Sequence, residues 1–158
     1  MEKIEVSKYD PPSNSLYLNG LPIYNRTIHV YETDKDGVVH FSNYFKIAEE
    51  ALYSGLKHFG FSFENNGYSM AMINAQAHYI HPIKFAEQLN VVIAEIKLKR
   101  SKLLFTLDFN NNHLVNLAKI QLTFVLIDPQ KRKAIPVPEQ LKYNLSQTII
   151  DHDKNLTD

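Results

Sequence analysis

One segment decides the fold: residues 33–44, with the sequence TDKDGVVHFSNY, join a predicted strand to a predicted helix. Before it, apolar and polar residues alternate from Ile23 to Tyr31, and this period of two predicts a strand. The first part of the segment, Thr33 to Gly37, is rich in residues that favour turns. We therefore expect the chain to leave the strand through a tight turn before the helix begins.

The helix after this segment is predicted from apolar residues that recur at steps of three and four positions. They are Tyr44, Ala48, Ala51, Leu52, Gly55, Leu56 and Phe59. Ser42 or Asn43 can cap the start of the helix, and Gly60 can end it. Because the apolar stripe is wide, we expect this helix to lie deep against a sheet.

Four further strands are predicted after the helix, without a second long helix among them. They lie at about 69–81, 89–98, 103–109 and 114–126, and a short helix follows from Pro138. This order is typical of an α+β fold, with a mainly antiparallel sheet around one central helix. Such a sheet leaves a face or an edge open, so we expect the protein to oligomerise.

The chain is predicted to divide into three parts. Residues 1–20 form a polar N-terminal arm, in which Leu16-Tyr17-Leu18 can add a short strand. Residues 21–138 form one domain, and residues 139–158 hold the C-terminal helix and a polar tail. A chain of this length can bury a core without disulfides or metals.

The composition disfavours several classes of protein. The 158 residues include 17 basic and 17 acidic side chains, so we expect no attraction to nucleic acid or to a membrane surface. Cysteine is absent, which excludes thiolate nucleophiles and cysteine-ligated zinc. The first residues lack an apolar signal region, and no apolar run approaches the roughly 18 residues of a membrane span. We therefore expect a cytoplasmic protein.

A candidate catalytic site is predicted where the turn meets the helix. A carboxylate beside free N–H groups at a helix start can attack a carbonyl or activate a water, while the N–H groups polarise that carbonyl. Asp34 and the N–H groups near His40, Phe41 and Ser42 are placed for this role. On local features alone, a purely structural turn made by Asp34 and Asp36 stays the simpler interpretation.

Metal and nucleotide chemistry are disfavoured. Residues 32–37 resemble the start of a calcium-binding EF-hand loop, but Glu32 and Asn43 occupy positions where that loop needs Asp and Glu. His78 and His81 lie three positions apart on a predicted strand, so they point to opposite faces and cannot bind one ion. The spacing His-x-x-x-His, glycine-rich phosphate loops and the motif Gly-x-Ser-x-Gly do not occur in the sequence. We therefore expect no metal and no cofactor.

Two basic clusters are candidates for contacts with an anionic ligand. They are Lys97, Lys99, Arg100 and Lys102, at a predicted turn between strands, and Lys131-Arg132-Lys133, after the last long strand. Such clusters are either solvated strand ends or binding sites for phosphate groups, for example those of coenzyme A. Both interpretations stay open.

The segment resembles the motif of hotdog-fold thioesterases of the 4-hydroxybenzoyl-CoA thioesterase type. The shared residues are Asp34-x-x-Gly37-Val38-Val39-x-x-x-Asn43-Tyr44, then Glu49-Glu50-Ala51 on the helix, then His81-Pro82-Ile83 and Ala134-Ile135-Pro136-Val137-Pro138. The resemblance extends from Ile23 to Pro138. Phe41, with Val-Val before it and a Pro-x-Pro after the last strand, is most similar to the 1,4-dihydroxy-2-naphthoyl-CoA thioesterase branch.

The resemblance implies a sheet wrapped around the helix and a homodimer or homotetramer with active sites at the dimer interface. It also implies hydrolysis of acyl-CoA thioesters without metal. Asp34 takes the position of the catalytic carboxylate, as general base or as nucleophile, and Phe41 takes the position whose backbone N–H holds the thioester oxygen. The residues expected to contact substrate are His40, Asn43, Lys97, Lys99, Arg100 and Lys102.

Two other functions stay open from the sequence. A non-catalytic hotdog module would bind an acyl-CoA or acyl-carrier ligand, although a buried carboxylate near an anionic ligand hinders binding. A hotdog dehydratase or hydratase is the third interpretation, but its histidine-containing helix motif does not occur in the sequence. The acyl group, aromatic or aliphatic, also stays open.

Overall fold

The computed structural model describes residues 2–5, 17–18, 21–58 and 67–145. The strands are β1 (Glu2–Glu5), β2 (Tyr17–Leu18), β3 (Leu21–Pro22), β4 (Tyr24–Thr27), β5 (Ser69–Tyr79), β6 (Gln88–Leu98), β7 (Lys102–Asn110), β8 (Asn116–Asp128) and β9 (Lys133–Ala134). The helices are a 3-10 turn at Val30–Glu32, α1 (Asn43–His58) and the helical residues 139–145, here α2. Among these helices, none is long and apolar enough to span a membrane.

Seven of the strands form one antiparallel sheet. Its main order is β1-β6-β7-β8-β5, with β4 also paired to β6 and β9 to β8. β2 and β3 pair with each other in a separate hairpin. The long strands follow one another in the chain, with a loop at residues 80–87 between β5 and β6 and shorter turns after β6 and β7. α1 is the central helix of the α+β architecture that the sequence predicts.

The core lies between the inner face of the sheet and α1. Along β7 and β8, buried residues alternate with less buried ones, as expected for strands with one covered face. The buried residues of these two strands include Leu103, Phe105, Leu107, Phe109, Ile120, Leu122 and Phe124. The helix contributes Ile47, Ala48, Leu52 and Leu56 to the same core.

Part of the predicted N-terminal arm belongs to the sheet, because β1 pairs with β6. The short strand predicted within the arm is present at Tyr17–Leu18. The division of the chain at residues 20 and 138 stays a prediction. Gly60 and the tail after residue 145 lie outside the described residues.

The strand predicted for residues 23–31 is shorter in the structure. β4 ends at Thr27, and the 3-10 turn follows at Val30–Glu32. The Glu32 carboxylate accepts the His29 N–H at 2.9 Å, and the Glu32 N–H donates to the His29 carbonyl at 3.0 Å. The prediction was wrong at this end because local hydrogen bonds turn the chain away from β6 despite the alternating pattern.

β5 departs from the simple alternation in its sequence. Its pairing with β8 shifts between Met72 and Asn74, which is a β-bulge. Met72 lies opposite the buried Phe124 on the inner face, whereas Asn74 lies opposite Thr123 on the outer face. The bulge therefore breaks the single apolar face predicted for residues 69–81.

Shortening a side chain that α1 contributes to the core should destabilise the fold. Leu56 is 1% exposed, and Leu56→Ala should lower the free energy of unfolding by about 2–5 kcal/mol because it leaves a cavity. Lys57→Ala, at an exposed position of the same helix, is the matched control and should change it by less than about 0.5 kcal/mol. Chemical denaturation measures both values. Equal losses in the two variants would contradict the packing of α1 described above.

Candidate active site

A tight hairpin presents Asp34. Thr33 pairs with Val39, and the Asp34 N–H donates to the Val38 carbonyl at 2.8 Å. The turn closes with the Gly37 N–H on the Asp34 carbonyl at 3.1 Å, and Gly37 adopts a φ of 76° that favours glycine. The turn-forming residues thus hold Asp34 in one backbone conformation.

One oxygen of the Asp34 carboxylate is used inside the hairpin. Oδ1 accepts the Asp36 N–H at 2.8 Å, whereas Oδ2 accepts no hydrogen bond from the described part of the chain. Burial raises the pKa of the Tyr44 hydroxyl, and the nearby Asp34 charge adds to this effect. Asp34 is half-buried, and its second carboxylate oxygen is therefore available near the start of α1.

The loop between β5 and β6 braces the hairpin. The Val39 N–H donates to the Ile83 carbonyl at 2.8 Å, and the Phe85 N–H donates to the Gly37 carbonyl at 3.1 Å. The segment around Ile83 that contributes to the family resemblance therefore has a structural role. It holds the hairpin at the end of the sheet where β5 stops and β6 begins.

The start of α1 is tied to the residue just before the hairpin. The Glu32 carbonyl accepts the His40 N–H at 2.9 Å and the Asn43 side-chain Nδ2–H at 2.8 Å. The Asn43 backbone N–H donates to the His40 carbonyl at 2.9 Å. Among the residues that the structure describes, none accepts the Phe41 N–H. This N–H is therefore able to bind an oxygen atom of a ligand.

The predicted substrate contacts His40 and Asn43 both have hydrogen-bond partners within the protein. His40 Nδ1 lies 2.8 Å from Ser42 Oγ and accepts the Ser42 N–H at 3.3 Å. The Phe41 ring is 65% exposed and packs on the His40 ring with 4.4 Å between centroids. The observed contacts of His40 and Asn43 shape the turn, while the Phe41 side chain faces solvent.

A buried ion pair holds Glu32 in place. The side chains of Arg26 and Glu32 are 13% and 10% exposed and form a direct ion pair. Arg26 also binds Glu50 of α1 at 3.2 Å, and the Tyr24 hydroxyl donates to Glu50 at 2.9 Å. These contacts join β4, the 3-10 turn and α1 beneath the hairpin.

The structure separates both basic clusters from Asp34. Three exposed members of the first cluster lie at the turn between β6 and β7: Lys99 and Arg100 in the turn, and Lys102 at the start of β7. This turn and the hairpin lie at opposite ends of β6, an eleven-residue strand about 30 Å long. Residues 131–133 lie at the same end of the sheet as the turn. Val125 of β8 pairs with Lys102, and β8 ends shortly afterwards, at Asp128. Lys97 instead lies on the outer face and pairs with Glu95 at 2.7 Å.

Sequence reasoning missed Tyr79. Its hydroxyl donates to the Phe41 carbonyl at 3.1 Å, and its ring meets the Tyr44 ring edge-on with 4.8 Å between centroids. The alternation in β5 places Tyr79 on a face of the sheet but does not identify a partner. Its partner Phe41 lies 38 positions earlier in the chain, so no local pattern indicates the contact.

The family model of the thioesterase-like superfamily matches residues 28–145, which include the hairpin, α1 and the long strands. The chain belongs to this superfamily, and it is a thioesterase enzyme with the hotdog fold. The family, the fold and the enzyme class predicted from the motif are confirmed.

Named relatives and solved structures agree with this classification. The 1,4-dihydroxy-2-naphthoyl-CoA hydrolase of Thermosynechococcus vestitus is 28% identical over 130 residues, which cover 78% of this chain and 89% of the relative. A crystal structure of a 1,4-dihydroxy-2-naphthoyl-CoA thioesterase from Synechocystis has a TM-score of 0.69 at 20% identity, over 78% of this chain and 94% of that chain. A Staphylococcus aureus protein in complex with CoA has a TM-score of 0.71 at 14% identity, over 86% and 87% of the two chains. The two structures show a common fold.

The buried ion pair should stabilise the arrangement around the hairpin. Arg26→Met leaves the Glu32 carboxylate buried without its cation and should lower the free energy of unfolding by about 3–5 kcal/mol. Adding Glu32→Gln removes the buried negative charge that Arg26→Met leaves without a partner, so the double variant should be more stable than Arg26→Met alone. Urea denaturation of the wild-type protein, Arg26→Met, Glu32→Gln and the double variant measures this double-mutant cycle. Strictly additive losses would contradict a direct coupling of the two side chains.

Proposed function

We propose that the protein hydrolyses an acyl-CoA thioester to the free acid and coenzyme A. Asp34 supplies the carboxylate, and the Phe41 N–H binds the thioester oxygen. The most direct support comes from two groups without a hydrogen-bond partner among the described residues, one carboxylate oxygen of Asp34 and the Phe41 N–H. Both lie within two residues of the Thr33–Val39 bridge. One hairpin thus brings together a proton acceptor or nucleophile and an oxyanion donor.

Asp34 has two possible roles in the reaction. As a general base, it takes a proton from water while the water oxygen bonds to the thioester carbon. As a nucleophile, its own oxygen bonds to that carbon, and water then cleaves the resulting anhydride. In both cases the carbonyl oxygen gains negative charge, which the Phe41 N–H and the start of α1 stabilise. The C–S bond breaks, and coenzyme A leaves as a thiolate that takes up a proton.

An aromatic acyl group is the substrate class that we favour. The relatives named 1,4-dihydroxy-2-naphthoyl-CoA hydrolase support this choice, and so does the exposed Phe41 ring beside the proposed oxyanion donor. Aliphatic acyl-CoA esters are the alternative. A cytoplasmic location stays a prediction of the sequence.

Removal of the Asp34 carboxylate should remove most turnover while the hairpin persists. Asp34→Asn keeps an oxygen that can accept the Asp36 N–H, so the fold should be retained. We expect kcat to fall by about 10²–10⁴-fold. Thiol release from aryl- and alkyl-CoA esters measures the rate, and the protein adds no thiol background because it has no cysteine.

Asp36→Asn is the matched control for this variant. Its carboxylate is exposed and pairs with Lys35, so the control should keep wild-type turnover. Near-full turnover of Asp34→Asn would reject the proposed role of Asp34. Saturable ester binding without turnover by the wild-type protein would favour the binding module over the enzyme.

We also propose that two copies of the chain pair along β5. This strand lies at one edge of the sheet, with β8 as its neighbour. On its inner face Met72 is 42% exposed and Tyr79 is 45% exposed. Within the described part of the chain, β5 pairs on one side only and has exposed apolar side chains beside its other edge, which favours pairing with a second copy. A homotetramer would combine two such dimers.

Antiparallel pairing of two β5 strands has a consequence for the basic clusters. A twofold axis places the Ser69 end of one strand beside the Tyr79 end of the other. The turn between β6 and β7 lies at the Ser69 end, because Lys102 and Ala71 both pair with Val125. We therefore assign the coenzyme A phosphates to the basic turn of the other copy. The outward-facing Lys97 is not part of this assignment.

Mixing two defective variants tests this assignment. Asp34→Asn lacks the carboxylate, and a variant with Lys99→Ala, Arg100→Ala and Lys102→Ala should have a raised KM for CoA esters. A heterodimer isolated with two different tags should regain the wild-type KM, because one of its two sites then combines an intact carboxylate with an intact basic turn. If each site used the basic turn of its own chain, the KM of the heterodimer would stay raised. Failure to isolate any heterodimer would contradict the proposed dimer.

A further inference from the structure

Tyr79, at the end of β5, reaches the turn that starts α1. Its hydroxyl donates to the Phe41 carbonyl at 3.1 Å. Its ring packs edge-on against Tyr44, and Tyr44 stacks on the buried Phe109 with 5.8 Å between centroids. A row of three aromatic rings therefore connects the turn to the inner face of the sheet.

The Tyr79 hydroxyl contacts the peptide group that follows Phe41. The peptide group before Phe41 is held by the Asn43 N–H on the His40 carbonyl at 2.9 Å. The peptide group after it is held at both atoms, by Tyr79 at the carbonyl and by His40 Nδ1 at the Ser42 N–H. The Phe41 N–H belongs to the first of these planes. Because the two rigid planes meet at the α-carbon of Phe41, the bonds to the second plane restrict how the first plane can turn, and with it the direction of the Phe41 N–H.

We propose that Tyr79 is a positioning residue for the hydrolysis: its hydroxyl holds the Phe41 carbonyl and thereby aims the Phe41 N–H at the thioester oxygen. This inference rests on the proposed role of that N–H as oxyanion donor. An oxyanion donor is effective only when it points to the place where charge develops in the transition state. Without the Tyr79 hydroxyl, the turn keeps its bonds to Glu32 and the ring contact with β5, but loses its hydrogen bond to Tyr79.

The variant Tyr79→Phe removes the hydroxyl and leaves the ring against Tyr44. Loss of an oxyanion donor costs about 10²–10³-fold in kcat, and a misdirected donor costs less, so we expect kcat to fall about tenfold. KM should stay within about twofold, because the lost interaction acts in the transition state. The pH dependence of kcat should not shift, because Asp34 is unchanged.

Tyr31→Phe is the matched control for the kinetic measurement. Tyr31 is 78% exposed, and its ring stacks on His29 rather than on the turn. Removal of its hydroxyl should leave kcat and KM unchanged. The comparison separates the loss of one particular hydrogen bond from the loss of any tyrosine hydroxyl.

The carbon-13 resonance of the Phe41 carbonyl gives a readout that does not depend on turnover. In Tyr79→Phe it should move upfield, because a carbonyl that loses a hydrogen-bond donor is less polarised. The Glu32 carbonyl is the internal reference. It keeps its two donors, His40 and Asn43, and its resonance should not move.

The proposal predicts a lower kcat together with a moved Phe41 carbonyl resonance. An unchanged kcat or an unchanged resonance would overturn it. A rise in KM alone would also overturn it, because Tyr79 would then bind substrate directly. Failure of the proposed function is distinct from these outcomes: the wild-type protein would release no thiol, or Asp34→Asn would keep full turnover.

Discussion

The carbonyl oxygen of Glu32 accepts two hydrogen bonds, one from the His40 backbone and one from the Asn43 side chain, and the arrangement of the candidate site depends on both. They hold the start of α1 against the residue that precedes the hairpin, so hydrogen bonds connect the segment that carries Asp34 to the one that carries Phe41. The N–H groups at a helix start must find acceptors outside the helix. Those of His40, Ser42 and Asn43 have acceptors here, whereas that of Phe41 has none among the described residues and is therefore available to a ligand.

This arrangement is supported from two sides. Below the hairpin, Arg26 contacts both Glu32 and Glu50, which joins β4 to α1. A buried ion pair adds little net stability compared with apolar packing, but the loss of one partner is costly, so the pair disfavours displacement of its elements. Beside the hairpin, the loop between β5 and β6 holds residues 37 and 39 through backbone hydrogen bonds. Polar contacts therefore set the geometry of the site, and the apolar core sets the position of the helix.

The elements whose pattern reflects burial could be predicted from the sequence. α1, β7 and β8 each cover or line one face of the core, so their apolar periods show in the chain. Prediction failed where a local bond overrides the period, as at His29 and Glu32, or where a bulge shifts the register, as near Met72. In the site, Asp34 and Phe41 are suggested by their motif, which is continuous in sequence. The contact of Tyr79 and the distance of the basic turn from Asp34 depend on strand register, and no local pattern contains that information.

The assignment of the Phe41 N–H as oxyanion donor is tested most directly by an NMR titration. The ligand is an aryl-CoA analogue in which a methylene group replaces the thioester sulfur, because this ketone keeps the carbonyl oxygen and cannot be hydrolysed. We predict that the Phe41 amide proton moves downfield on binding, and by more than the amide protons of His40 and Ser42. Saturable binding that leaves the Phe41 amide resonance unmoved would contradict the assignment and the mechanism that depends on it.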